Sequence, residues 1–246
     1  MKSAPRTTTT TTAQTTAPIS SDRPAKSLAQ DRYGLKSNFI PRLVRLALEW
    51  PTEDGLVLGL FGPWGIGKTS ILHMFRDHVE QNRAQHKNVH IAFFNPWFYE
   101  DTGALVTSFF ATIAEELKTG GGNFLKAAEK GFKGMGAFLT AASKGITISG
   151  INVDIGKIGE SLKNSGELSN NLAGLAALAD GGEKKFEQYR AEVEKALNKL
   201  GAKGGRVVVL VDDVDRLSKV ELLTMLRLIR TVADLPYMTL VVAMDD

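Results

Sequence analysis

An α/β fold, a parallel sheet with helices on both faces, is predicted by three observations. The run Gly62-Pro63-Trp64-Gly65-Ile66-Gly67-Lys68-Thr69 fits G-x-x-x-x-G-K-[ST], the phosphate-cradling loop, between a strand-like and a helix-like segment. The run Arg206-Val207-Val208-Val209-Leu210-Val211 is continuously apolar after its first residue, as in a parallel strand buried on both faces, and ends in Asp212-Asp213. Further strand-like runs alternate with helical patterns along the chain.

The elements follow in order. Apolar residues at 39, 40, 43, 44, 46, 47 and 50 predict a helix over 38–50, stopped before Pro51. Gly55-Leu56-Val57-Leu58-Gly59-Leu60-Phe61 reads as a short buried strand, and Ser70-Ile71-Leu72-His73-Met74-Phe75 as the start of a helix. Val89 to Phe94 is a second strand, ended by Asn95-Pro96-Trp97, and Leu105 to Leu117 a helix. A long insert spans about residues 118–205, between the second strand and the third, 207–211. Within it, Phe124, Ala128, Phe132, Met135 and Leu139 form one helical face, with Lys126, Lys130 and Lys133 opposite. Those lysines exclude a simple membrane span. They leave a core helix with a solvated basic face, which is favoured, or a helix lying on anionic lipid. Ile146, Ile148, Ile151, Val153 and Ile155 suggest a hairpin-like stretch, and Phe186, Tyr189, Val193, Leu197 and Leu200 another helix, stopped at Gly201. Ser218 and Glu221 form a capping box for a helix reaching Ala233, and 238–243 is a fourth strand.

Composition narrows the function. Lys and Arg number 30 and Asp and Glu 27, a net charge of +3 that makes no case for nucleic acid. Without cysteine there is neither a disulfide framework nor a thiolate zinc site, and His73, His78, His86 and His90 form no close ligand cluster. Residues 1–30, with an unbroken threonine run over 7–12, are expected to be a disordered tail. No secretory signal follows the basic start, and no apolar run of about 18 residues occurs. The chain is therefore expected in the cytoplasm, with peripheral attachment at the inner face of the membrane as the variant.

The candidate chemistry is phosphate binding. Glycines let the backbone wrap an anion closely, and the helix N-terminus presents N–H groups and a favourable dipole to it. Gly62, Pro63, Trp64, Gly65, Ile66, Gly67, Lys68, Thr69 and Ser70 form the expected nucleotide-binding set. Lys68 would reach the β- and γ-phosphates, and the Thr69 hydroxyl would bind Mg²⁺. Asp212, at the C-terminal end of its strand, is the second expected metal residue, and Asp213 the residue that orients water. Arg216, Arg227 and Arg230 are candidate arginine fingers.

Four stretches resemble the KAP family of P-loop NTPases: Gly62 to Thr69; Phe94-Asn95-Pro96-Trp97-Phe98-Tyr99-Glu100; Asp212-Asp213-Val214-Asp215-Arg216; and Val241-Val242-Ala243-Met244-Asp245. The second is the most specific to that family. The resemblance implies an additional-strand ATPase core over 31–246 with sheet order 5-1-4-3-2, ATP and Mg²⁺ as ligands, and roles in signalling scaffolds or bacterial phage exclusion. Many members carry two membrane-spanning helices in the insert, and here the lysines interrupt the candidate. The fifth strand and the helical lid of such ATPases are absent from these residues, which would leave the first strand with an unpaired apolar edge. The expected function is an ATP-binding, Mg²⁺-dependent, ATP-hydrolysing switch that works with a protein partner or self-associates. A non-hydrolysing, nucleotide-dependent interaction module is the alternative. GTP is disfavoured, since no [NT]-K-x-D segment occurs. A nucleic-acid motor is disfavoured too, for want of a basic stripe.

Overall fold

The computed structural model describes residues 23–99, 101–119, 123–146 and 182–245. Its centre is a four-stranded sheet of β1 (Leu56–Phe61), β2 (Val89–Phe94), β3 (Arg206–Val211) and β4 (Met238–Met244), in the order β1-β4-β3-β2. All three pairings are parallel. This is the expected order without its fifth member.

The apolar runs explain the layering. In β3 every residue is buried, and alternate side chains serve opposite faces: Val207, Val209 and Val211 one, Val208 and Leu210 the other. On the second face lie α1 (Phe39–Leu48), through Ile40, Val44 and Ala47, and α2 (Lys68–Gln81), through Leu72, Met74, Phe75 and Val79. On the first lie α3 (Thr102–Thr119) and α6 (Lys219–Ala233), the latter opened by the expected capping box, with the Ser218 N–H donating to Glu221 and the Glu221 N–H to Ser218 Oγ.

The insert contributes α4 (Asn123–Ile146) and α5 (Gly182–Gly201), outside α3. Ala128, Phe132 and Met135 are fully buried there, so the core-helix reading holds, and the face needed for a membrane surface is used up inside the protein. Glycines allow the close crossing: a Cβ on Gly131 would lie 2.5 Å from Val193, and one on Gly136 2.8 Å from Phe110. Among the described residues no helix is long and apolar enough to cross a membrane. The hairpin expected at 146–155 lies outside the described residues beyond Ile146.

The boundary expected at residue 30 is corrected. The Ala25 N–H donates to Ser70 Oγ (3.0 Å), the Leu28 N–H to Asp77 Oδ2 (2.7 Å), and the Leu28 side chain is buried against the core. The segment from Ala25 is thus fastened across α2, while residues 1–22 lie outside the described ones.

The sheet's two edges differ. At β2 the Ile91 N–H donates to the Glu116 carboxylate of α3 (3.3 Å), a charged guard of the kind that discourages further pairing. At β1, Leu58 and Leu60 meet the α1–α2 core, whereas Val57 and Phe61 on the other face are exposed.

Two buried basic side chains are handled in opposite ways. Arg206 stays paired: it donates to Thr239 Oγ1, Trp50 O and Thr52 O, tying the bottom of the sheet to the segment after α1. His90 is held neutral, its pKa lowered by burial and by the nearby Arg83 cation. His73 and His78 are also lowered, chiefly by burial. Folding stability should therefore fall as pH drops below about 6.5, where unfolded histidines take up protons that the folded ones resist. Urea denaturation at pH 7.5 and 5.5 checks this. A smaller loss in His90→Gln would assign its share to His90, and equal stability at both pH values would contradict the assignment.

Candidate functional site

The site is assembled where the C-terminal ends of β1, β3 and β4 meet the N-terminus of α2, the end of a parallel sheet at which ligands bind. After β1 the chain turns through Gly65 (φ 82°) and Gly67 (φ 99°), both left-handed, so that any side chain there would strain the loop even where space is open. Gly67 caps α2 without a side-chain acceptor, leaving first-turn N–H groups free for a ligand. Gly62 is buried, while Pro63, Trp64, Gly65 and Ile66 are exposed along the rim.

Lys68 folds back over the loop. Its Nζ donates to Gly62 O (2.6 Å) and Pro63 O (3.3 Å) and pairs with Asp245 Oδ1 (2.5 Å), just beyond β4. The Thr69 hydroxyl lies near enough to the Asp212 carboxylate to favour its charged form, bringing together the two expected metal residues from segments far apart in the chain. Asp212 is 2% exposed and also accepts from the Asp213 N–H (3.1 Å). Burial raises its pKa, with the Asp213 charge adding to the effect, and the Thr69 and backbone hydrogen bonds oppose it. The Ser70 hydroxyl oxygen accepts from the Ala25 N–H (3.0 Å).

Asp213 is constrained on every side. Its backbone is left-handed (φ 53°), a conformation Asp tolerates better than most residues. Asn95 Nδ2 donates to its Oδ2 (2.8 Å), and the Arg216 guanidinium forms an ion pair with it, Nε 2.9 Å from Oδ1. The Arg216 guanidinium lies over the Trp97 ring, 5.4 Å from the centroid. Asn95 also accepts from the Trp97 N–H (3.0 Å), fixing the short helical turn over Pro96–Phe98 that presents that ring. The aromatics of this stretch thus divide the work: Tyr99 stacks on buried Phe94, centroids 5.4 Å apart, whereas Trp97, 54% exposed, supports Arg216.

Arg216, a candidate finger, pairs with Asp213. Arg227 and Arg230 are exposed on α6. The roles of Asn95 and Asp245 as partners of site residues went unrecognised in the sequence, because 118 and 177 residues separate them from those they touch.

Mg²⁺ prefers hard oxygen ligands and usually takes one or two from protein and the rest from phosphate and water. The Thr69 hydroxyl beside the Asp212 carboxylate fits that chemistry. Among the described residues there is no cluster of three or more His, Asp or Glu that would make a protein-only cation cage.

The comparisons agree with the geometry. The "Phage T7 exclusion protein" of Escherichia coli (strain K12) is 28% identical over 238 residues, covering 91% of this chain and 30% of that protein. The chain thus spans less than a third of the length of this relative. The model of the KAP family P-loop domain matches residues 36–246, carrying both the phosphate loop and the paired aspartates, and the chain belongs to that family.

Proposed function

We propose that this domain binds ATP with Mg²⁺ and hydrolyses it as a switch, in phage exclusion or a related signalling role. The observation that carries the reading is the convergence of Lys68, Thr69, Asp212 and Asp213 on one loop at the C-terminal end of the sheet. In phosphoryl transfer the protein chiefly positions groups and neutralises charge. Lys68 and the loop N–H groups would hold the phosphates, and Thr69 and Asp212 the Mg²⁺, which neutralises phosphate charge when bound. Asp213 would orient water. The phage role is suggested by the relative's name alone.

The second reading, a non-hydrolysing interaction module, is favoured by the double restraint on Asp213. Single-turnover measurement of phosphate release from bound ATP, with wild type and Lys68→Ala, separates the two. Release that needs Lys68 supports hydrolysis, and tight binding without release supports the module. Plaque counts on cells expressing the natural protein and its Lys68→Ala variant test the phage role.

Asp212→Asn should separate stability from function. A carboxylate whose folded pKa is raised bears a cost of ionisation that is present above the folded pKa and vanishes below the unfolded one. Removing the charge should therefore stabilise the apo protein at pH 7, by about 0.5–2 kcal/mol. The same change should weaken the Mg²⁺ dependence of nucleotide binding. In wild type, Mg²⁺ affinity should fall on acidification, as Asp212 takes up its proton. Thermal denaturation and Mg²⁺ titration check both, and a destabilised variant would contradict the account.

A further inference from the structure

The Lys68 ammonium has three protons, and three acceptors meet it: Gly62 O, Pro63 O and Asp245 Oδ1. Its side chain is 11% exposed. The cation expected to receive phosphate is thus already neutralised by a carboxylate of the same chain. The fold puts it there, because Phe61 and Met244 are the last register pair of β1 and β4, and the residues that follow each of them emerge side by side.

We propose that Asp245 is an internal counter-ion which competes with polyphosphate for Lys68, so that the phosphate loop binds nucleotide only by opening this pair. The proposal rests on reading Gly62–Thr69 as a phosphate site and adds a determinant of its affinity. An anion on the loop takes over the hydrogen bond that Lys68 donates to Asp245, and the two negative charges cannot share the ammonium without mutual repulsion. The pair must part, and occupancy of the loop is thereby transmitted to the end of β4, a strand on the other side of the sheet pairing. A charge-assisted bond is among the stronger polar contacts, so its loss opposes binding measurably.

The test is calorimetric titration of pyrophosphate and of ADP, both in EDTA so that no metal role of Asp245 intrudes. The proteins are wild type, Asp245→Asn, Asp245→Glu and Lys68→Ala, each checked for folding by circular dichroism and thermal denaturation. Asp245→Asn should bind both anions about tenfold more tightly, the scale expected for removing one charge beside the site. Asp245→Glu should stay near wild type. Damage to the loop would weaken binding, so tightening is a readout that a merely structural role cannot produce. Unchanged or weaker binding by a folded Asp245→Asn, with Lys68→Ala still weaker than wild type, overturns the proposal. Failure of the phosphate-site reading looks different: Lys68→Ala would then bind as well as wild type.

Discussion

Lys68→Ala is expected to weaken Mg-ATP binding by about ten- to a hundredfold, from the roughly 1.5–3 kcal/mol of a hydrogen bond to a charged group. Hydrolysis should drop to background. Two features set the size of the effect. The lysine is almost enclosed, so its charge acts with less screening than a surface cation. It also bridges two loop carbonyls, so its loss removes both the cation and a tie that holds the loop closed. The fold should survive, because the core of α2 rests on Leu72, Phe75 and Val79 rather than on Lys68. Equilibrium binding of a fluorescent ATP analogue, with circular dichroism on the same sample, checks both parts. A folded variant with wild-type affinity and turnover would remove the site assignment.

Asp213→Asn is expected to keep nucleotide affinity and to lose about 10²–10⁴-fold in hydrolysis, the usual contribution of a positioned acid–base group. The side chain is close in size and can still accept from Asn95 or Arg216. What it loses is the negative charge that would orient and polarise water. The metal residues proposed above are Thr69 and Asp212, so Mg²⁺ dependence should persist, unlike in Asp212→Asn. Phosphate release by the two variants at saturating ATP separates the assignments. Wild-type turnover in Asp213→Asn would show that another group handles the water.

Much of this was legible because it is local. The phosphate loop, the β3 run with its two aspartates and the capping box at Ser218 each lie within a few residues, and each adopts the expected form. The lysine-striped α4 was legible from period alone. What escaped notice depends on tertiary neighbours. The apolar face of α4 does not name α3 and α5 as its partners. The sequence near Leu28 has no periodic signal, since its anchoring comes from backbone N–H groups meeting Ser70 and Asp77. Asn95, in the family-like stretch, gave no sign that its amide would hold Asp213. Arg206 reads as an ordinary charged start to a strand, yet it is buried and satisfied by carbonyls from far upstream.

The sheet order has a consequence for how the molecule is made. Among the described strands β1 is first in sequence, and its partner there is β4, the last. The loop after β1 is therefore encoded early and completed late. At translation rates of about 5–20 residues per second, the Leu56–Phe61 run waits on the order of ten seconds or more for a neighbour. Through that interval an apolar strand has no ladder to join, and β2 and β3 can pair before it does. Non-local closure of this kind slows folding, and an unpaired apolar strand is a substrate for chaperones as well as a seed for aggregation. Nascent chains halted before Met238 should accordingly lack the nucleotide site, however complete their phosphate loop is in sequence.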